Sequence, residues 1–185
     1  MNFPAHPGSQ APDGGQVTGP LFPFGFGLSY TTFGYANLRI RPDRVPAAGP
    51  VDAGPGLATA EAASRSGIAV WCDVTNTGTR AGDEVVQLYL RDDYSSVTTF
   101  EKVLRGFARV ALAPGETRTV QFTLTDGDLA LFDRDNHWMV EPGRFTVMVG
   151  ASSEDLRLRG NFVVTRPDGT VPEEDLLPDE RPAAN

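Results

Sequence analysis

The sequence predicts an all-β fold, an antiparallel β-sandwich of seven to eight short strands. Short stretches alternate apolar and polar residues, turn residues separate them at the spacing typical of sandwiches, and no stretch repeats apolar residues at a convincing helical period. A parallel sheet would need amphipathic crossover helices between its strands, and no connection supplies one. A closed barrel is the lesser alternative.

The strands follow from the alternation. Residues 117–125 alternate most strictly, which predicts one buried and one solvated face. In 83–91 both faces are partly apolar, which predicts a central strand. Gly106 interrupts an apolar stretch and predicts a bulge, and Pro114 marks a β-turn. The predicted strands are 33–40, 68–75, 83–91, 103–112, 117–125, 144–150 and 156–164, with a hairpin of 131–132 and 137–140.

Three stretches lack the large apolar residues that a core needs. Residues 1–19 should be disordered or a residual linker from a preceding domain, so we expect a truncated or separated chain. Residues 42–67 are dominated by Ala, Gly and Pro and predict a flexible insertion, in which a helical turn at 58–63 would be too short to be stable. Residues 165–185 predict a disordered acidic tail. The sandwich itself should span residues 20–164.

Composition excludes several classes of function. Lys and Arg number 16 against 24 Asp and Glu, the net charge is -8, and no basic cluster offers a face for nucleic acid. Cys72 is the only cysteine, so no disulfide can form within the chain, and His6 and His137 lie too far apart in sequence to complete a zinc site. We expect Cys72 to be a buried hydrophobe. No apolar run reaches the length of a membrane span, and the first residues carry no export signal.

Residues 20–33, here termed the aromatic segment, are the most unusual stretch. They contain four of the eleven phenylalanines. Pro20 and Pro23 bias the residues before them toward extended backbone, and Gly25 and Gly27 permit tight bends. We therefore predict an irregular segment that is anchored on the sandwich.

The aromatic segment and a series of motifs resemble one known module. The chain resembles the C-terminal fibronectin type III-like domain of family 3 glycoside hydrolases, the group of β-glucosidases and β-xylosidases. The resemblance covers residues 20–164, and Phe26 departs from it because the family often has His or Tyr there. The further motifs, in the family's order, lie at 74–78, 81–89, 104–107, 112–116, 128–130, 138–145 and 149–153.

The resemblance implies an immunoglobulin or fibronectin III-like sandwich without catalytic residues, cofactors or metals, because two earlier domains carry catalysis in that family. It implies a non-catalytic accessory or stabilising domain, whose partners are the catalytic domains of such a hydrolase or a second copy of the chain. Family relatives are often periplasmic or secreted. The alternatives are a free-standing carbohydrate- or protein-binding module and a relic without a function of its own. The residues expected at the interdomain contact are Phe22, Phe24, Phe26, Leu28, Tyr30 and Phe33.

Other polar groups have simple structural interpretations. Retaining glycosidases need two carboxyl groups about 5–5.5 Å apart, whereas adjacent strand residues point to opposite faces. We therefore assign the acidic pairs to the surface. Asp133 begins a possible calcium loop, but Trp138 replaces its glycine and Arg144 its final acid. The acidic pairs are Asp83/Glu84, Asp92/Asp93 and Glu173/Glu174.

Five further residues have side chains of the kind that serve as ligand or catalytic groups. Ser29 resembles half of a nucleophile elbow, but the closing glycine is missing, so we predict a turn hydroxyl. His137 and Trp138 could bind a sugar, and a hairpin position beside the core is the favoured interpretation. Trp71 and Tyr89 should pack on the sheets or be covered by a neighbouring domain rather than form a carbohydrate platform.

Overall fold

The computed structural model describes residues 21–51 and 67–172. All seven long predicted strands are present, with ends within one residue of their predicted positions. The elements are β1 (Phe33–Arg41), β2 (Arg44–Pro46), β3 (Gly49–Pro50), β4 (Ile68–Asn76), β5 (Gly82–Asp92), β6 (Val103–Leu112), β7 (Thr117–Leu124), α1 (Asp126–Leu129), β8 (Leu131–Phe132), β9 (Trp138–Val140), β10 (Gly143–Gly150) and β11 (Leu156–Thr165).

The strands form two main sheets and one small sheet. The first has the order β1-β4-β7, the second β2-β11-β10-β5-β6, and the small one β3-β9-β8. Every pairing is antiparallel except that of β2 with β11. The buried side chains of the two main sheets form one core, which confirms the predicted antiparallel β-sandwich.

Alternation produces the core directly. Along β4 every second residue is buried, including Ile68 and Cys72, and full burial of such a side chain contributes about 1.5–3 kcal/mol. Burial raises the pKa of the Cys72 thiol to about 11, so the prediction of a buried hydrophobic cysteine is confirmed. Phe145 and Phe162, opposite each other on β10 and β11, stack in the core with ring centroids 5.4 Å apart.

The predicted central strand and bulge are both confirmed. β5 lies between β10 and β6. The register with β6 shifts between Leu88 and Tyr89, which leaves Arg105 as the extra residue beside Gly106. A Cβ on Gly106 would lie 2.9 Å from the Phe122 ring, so the close approach of β7 requires glycine there.

The structure differs from the predicted loop at 42–67 in two places. β2 pairs with β11, and β3 pairs with β9, although each strand has only two or three residues. Val45 in β2 is buried, and the carbonyl of Thr165 accepts a hydrogen bond of 2.8 Å from the amide of Ala47. Such short strands carry no measurable alternation, and contacts with distant residues specify them.

Other features complete the described chain. Between β7 and β8 lies the one-turn helix α1, closed by hydrogen bonds of 2.8 Å from the amide and hydroxyl of Thr125 to the Asp128 carboxylate. Within the described ranges, no helix has the length and apolarity needed to cross a membrane. The predictions for residues 1–19, for the helical turn at 58–63 and for most of the acidic tail lie outside the described residues.

Candidate functional site

The aromatic segment lies at one end of the sandwich, and most of its large side chains face solvent. Phe22 and Phe24 are 62% and 65% exposed, and Leu28 and Tyr30 are 92% and 93% exposed. The less exposed Phe26 stacks on Phe22, with ring centroids 5.1 Å apart. Five of the six residues expected at the interdomain contact are therefore displayed on the surface.

Phe33 is the sixth residue, and its environment differs. It is the first residue of β1, is half-buried and packs against the core. It therefore joins the aromatic segment to the sandwich, while the other five side chains point away from the core.

Hydrogen bonds tie the first half of the segment to the five-stranded sheet. The carbonyl of Phe24 accepts a bond of 2.9 Å from the amide of Ser153, in the turn between β10 and β11. The carbonyl of Gly25 accepts a bond of 3.1 Å from the Gln87 side-chain nitrogen. The exposed rings are therefore carried by a backbone that is held in place.

Gln87 occupies the face of β5 that points away from the core, yet it is buried. Its Nε2 also donates to the carbonyl of Ala151 over 2.6 Å, and its Oε1 accepts a bond of 2.6 Å from the Tyr89 hydroxyl. Gly25 has a φ of +77°, and a Cβ there would collide with the Gln87 amide. Only glycine suits this contact.

Asn76 ties the second half of the segment. Its Oδ1 accepts hydrogen bonds from the Thr31 hydroxyl at 2.7 Å and the Gly78 amide at 3.1 Å. Its Nδ2 donates to the carbonyls of Arg80 at 2.7 Å and Leu112 at 3.0 Å. Asn76 is fully buried, so its side chain connects the segment to the turns at this end of the sandwich.

A cleft of about 760 Å³ lies between the segment and the sheet. Phe24, Phe26 and Leu28 line it from the segment. Val85 on β5 and Phe107 on β6 line it from the sheet, and both are exposed, Phe107 by 70%. The apolar surface therefore continues from the segment onto the sheet.

The sequence interpretation missed Val85, Phe107 and Gln87 as parts of this site. A signal for Phe107 existed in the alternation of β6. Ala108 and Val110, one and three residues further along the strand, face the core, so Phe107 must face away from it. Nothing local indicates that Gln87 bonds the segment, because Gly25 lies 62 positions earlier in the chain.

Charged groups at the edge of the cleft are largely paired. Asp83 bonds the Arg109 guanidinium, with Nε and Oδ2 2.9 Å apart. Asp155 binds Arg157 through two bonds of 3.0 and 2.7 Å, which lower the pKa of the Asp155 carboxyl. Arg157 also lies over the Tyr35 ring, 4.8 Å from its centroid.

Glu84 points to the opposite side of β5 from Asp83, as strand alternation requires, and burial raises the pKa of its carboxyl. One of its oxygens accepts a bond of 2.9 Å from the amide of Val85. The cleft thus combines exposed rings with a rim of mostly paired charges, an arrangement suited to contact with another apolar surface.

Comparisons with known proteins identify the family of the chain. The family model for the fibronectin type III-like domain matches residues 84–153. A β-xylosidase of Formosa agariphila is 47% identical over 135 residues, which are 73% of this chain and 16% of the xylosidase. The thermostable β-glucosidase B of Acetivibrio thermocellus is 40% identical over 141 residues, 76% of this chain and 16% of that enzyme.

Solved structures give the same result. The β-D-glucoside glucohydrolase of Trichoderma reesei superposes with a TM-score of 0.68 at 36% identity, over 77% of this chain and 20% of that one. The GH3 β-glucosidase of Bifidobacterium adolescentis gives a TM-score of 0.62 at 31% identity, over 77% of this chain and 18% of that one. The chain belongs to the fibronectin type III-like domains of family 3 glycoside hydrolases. It spans a fifth or less of each of these enzymes.

The side chains considered as metal ligands or as a nucleophile, Asp133 and Ser29, make hydrogen bonds within turns of this fibronectin type III-like domain. Across residues 21–51 and 67–172, no group of three or more His, Cys, Asp or Glu is placed to hold a metal ion. The Asp133 carboxylate instead accepts bonds from the amides of Asp135 at 2.9 Å and His137 at 2.8 Å, which closes the β8–β9 turn. The Ser29 hydroxyl accepts a bond of 3.4 Å from the Thr31 amide, as predicted for a turn hydroxyl.

Three further aromatic residues lie in strands of the domain. Tyr89 is buried, which confirms sheet packing. Trp71 is half-buried on the outward face of β4, opposite Arg39 and Gln121. Trp138 lies in the β8–β9 hairpin and packs against the core, as the favoured interpretation predicted.

Proposed function

We propose that this chain is a non-catalytic accessory domain of a family 3 glycoside hydrolase, and that it stabilises the larger remainder of the enzyme, here termed the catalytic body. The observation that carries the proposal is the aromatic segment, because five large apolar side chains are exposed on a backbone tied to the sandwich. In the relatives, four fifths or more of the chain lies outside the match, and in an enzyme of that length this remainder could cover such a surface.

The energetics favour a covered surface. Burial of one phenylalanine side chain contributes about 1.5–3 kcal/mol. Apolar patches larger than about 300–600 Å² are rare on monomeric proteins and mark contacts. Phe24, Phe26 and Phe107 surround one cleft, so a single partner surface could cover them together. The relatives' names, β-xylosidase and β-glucosidase, point to β-glycosides as the substrates of the complete enzyme.

An exchange of domains tests the proposal. In the Formosa agariphila β-xylosidase, the segment aligned with this chain is either deleted or replaced by this chain, which gives a truncated enzyme and a chimera. We expect the truncated enzyme to lose activity at a lower temperature than the wild type, and the chimera to regain most of the loss. A chimera as heat-labile as the truncated enzyme would overturn the stabilising role.

The non-catalytic part of the proposal has its own test. The purified chain is incubated with aryl β-glucosides and aryl β-xylosides, and no turnover above background is expected. Turnover that persists through stringent purification would contradict it.

Two further measurements test whether the surface serves self-association or carbohydrate binding instead. Analytical ultracentrifugation tests self-association through the aromatic segment, which exposed rings favour. A pull-down on insoluble glucan and xylan tests the free-standing carbohydrate-binding module. Retention on either polysaccharide, together with a chimera that is not stabilised, would favour the binding module over the accessory domain.

A further inference from the structure

Gln87 is a polar residue in a place where the sheet alone does not require one. It is 4% exposed on the outward face of β5, and a buried amide is unfavourable unless its hydrogen bonds are made. Both hydrogens of Nε2 are used, toward Gly25 and Ala151, and Oε1 accepts the Tyr89 hydroxyl. The side chain therefore makes its bonds outward, to the segment and to the β10–β11 turn.

We infer that Gln87 is the positioning residue of the aromatic segment, which it holds in the shape that docks on the catalytic body. The inference rests on the proposed function for the identity of the partner. The bond from Gln87 ends on Gly25, the residue between Phe24 and Phe26, so one contact orients both rings.

Three neighbouring features support the same role. Gly25 adopts a φ of +77° and approaches Gln87 so closely that no side chain fits there. The amide of Phe26 bonds the carbonyl of Pro23 at 3.1 Å, which closes a turn around Gly25. Ser153 bonds the carbonyl of Phe24, from the turn that also receives the second bond of Gln87. The segment is therefore preformed, and preformed surfaces bind more tightly because less ordering is needed on contact.

Hydrogen exchange on the full 185-residue chain measures this role without any partner. In Gln87→Met, which keeps the length of the side chain and removes its bonds, the amides of Phe26 and Ser153 should exchange about tenfold faster. The strand amides of β5 and β10 should keep their protection. The matched control is Gln121→Met, the same substitution at an exposed position of β7, which should leave the exchange of Phe26 and Ser153 unchanged.

The chimera described above then measures docking. Gln87→Met should shorten the half-life of the chimera's activity at elevated temperature about tenfold, whereas Gln121→Met should leave it unchanged. Should Gln87→Met fail to fold, as judged by circular dichroism, Gly25→Ala disturbs the same contact from the exposed side and should give the same two results.

The outcomes separate the inference from the proposed function. Unchanged exchange of the Phe26 and Ser153 amides in Gln87→Met, or in Gly25→Ala where it replaces a misfolded Gln87→Met, would overturn the positioning role. Faster exchange with an unaltered half-life of the chimera would also overturn it, because the segment would then order itself on contact. A wild-type chimera that is not stabilised would refute the proposed function, while the exchange data would still decide whether Gln87 holds the segment.

Discussion

Both ends of the sandwich expose aromatic side chains, but they hold them differently. At one end, the aromatic segment carries Phe22 and Phe24 on a backbone outside both main sheets. At the other, which we term the hairpin end, the β5–β6 loop and the β8–β9 hairpin expose Tyr94, Phe100 and Phe132 to about half of their surface. Exposure alone therefore does not single out a site.

The hairpin end already contains partners for its own groups. The Phe132 ring lies 5.2 Å from the ring of Trp138, which packs on the core. The Glu141 carboxylate accepts hydrogen bonds from the amide of Ser96, at 2.9 Å, and from its hydroxyl, at 2.5 Å. The β5–β6 loop is thus bonded to the turn after β9, and the Phe132 ring has a partner within the hairpin.

The aromatic segment shows the opposite arrangement. Its backbone is bonded to the sandwich through Gln87 and Asn76, while its rings line a cleft together with Phe107. A contact surface is therefore marked by a fixed backbone combined with uncovered side chains. Variants at the two ends test that distinction.

Removal of the exposed rings at each end gives the largest contrast. Phe24→Ser combined with Phe26→Ser should shorten the half-life of the chimera's activity at elevated temperature at least a hundredfold, because two aromatic anchors of an interface contribute about 2 kcal/mol or more each. The unfolding free energy of the isolated chain should change by less than about 0.5 kcal/mol. The matched control, Tyr94→Ser with Phe100→Ser at the hairpin end, should leave the half-life nearly unchanged. Equal losses from both pairs would remove the distinction between the ends.

Asn76 tests whether the end that carries the segment is also structurally important. Asn76→Ala leaves the carbonyl of Leu112 and the hydroxyl of Thr31 without their partners, so the unfolding free energy should fall by about 2–4 kcal/mol. Urea unfolding followed by tryptophan fluorescence measures it. Thr75→Val, the control on the adjacent residue, removes only a solvent-exposed bond to Thr117 and should cost less than about 1 kcal/mol. A loss no greater than that of Thr75→Val would show that the segment is not coupled to the fold.

Most of the fold could be predicted because alternation reports which face is buried. It located β4 and β7 to within one residue, since β4 buries every second side chain and β7 buries Val120 and Leu124 on one face. β2 and β3 escaped prediction because two or three residues cannot show a period, and pairing with β11 and β9 specifies them instead. Local pattern is informative only where a strand is long enough to repeat it.

The candidate site was predictable only in part for a similar reason. The prolines and glycines in 20–33 predicted an irregular, anchored segment, and the resemblance to the family supplied its role as an interdomain contact. The bond from Gln87 to Gly25 and the cleft wall formed by Phe107 join residues far apart in sequence. Such contacts exist only once the sheet has formed, so no local pattern reports them.

Two carboxyl groups of the cleft should change the stability of the domain with pH in opposite directions. Burial raises the pKa of Glu84 above its ordinary value of 4.5, so its stabilising protonated form is lost as the pH rises through the pKa of the folded state. Glu84→Gln should therefore match the wild type below about pH 4.5 and be more stable at neutral pH. Chemical unfolding across this pH range measures the difference, and a variant less stable at neutral pH would contradict it.

Asp155 is the control, because its carboxyl pKa is lowered whereas that of Glu84 is raised. The Arg157 guanidinium lowers the pKa of Asp155 below its ordinary value of 3.8, so the ion pair stabilises the fold above that pH and is lost as the pH falls. Asp155→Asn should be less stable than the wild type at neutral pH, with the difference vanishing in acid. The same sign for both variants would show that the two carboxyl groups share one environment.

The smallest effect is expected from the charged rim, where Arg109 pairs with Asp83. Both side chains are substantially exposed, so Arg109→Gln should change the unfolding free energy by less than about 0.5 kcal/mol, and the change should decrease further with added salt. Arg134→Gln at the hairpin end, which removes a bond of 3.3 Å to the carbonyl of Ser96, should behave alike. A shorter half-life of the chimera with Arg109→Gln alone would extend the contact surface beyond the rings, onto β5 and β6.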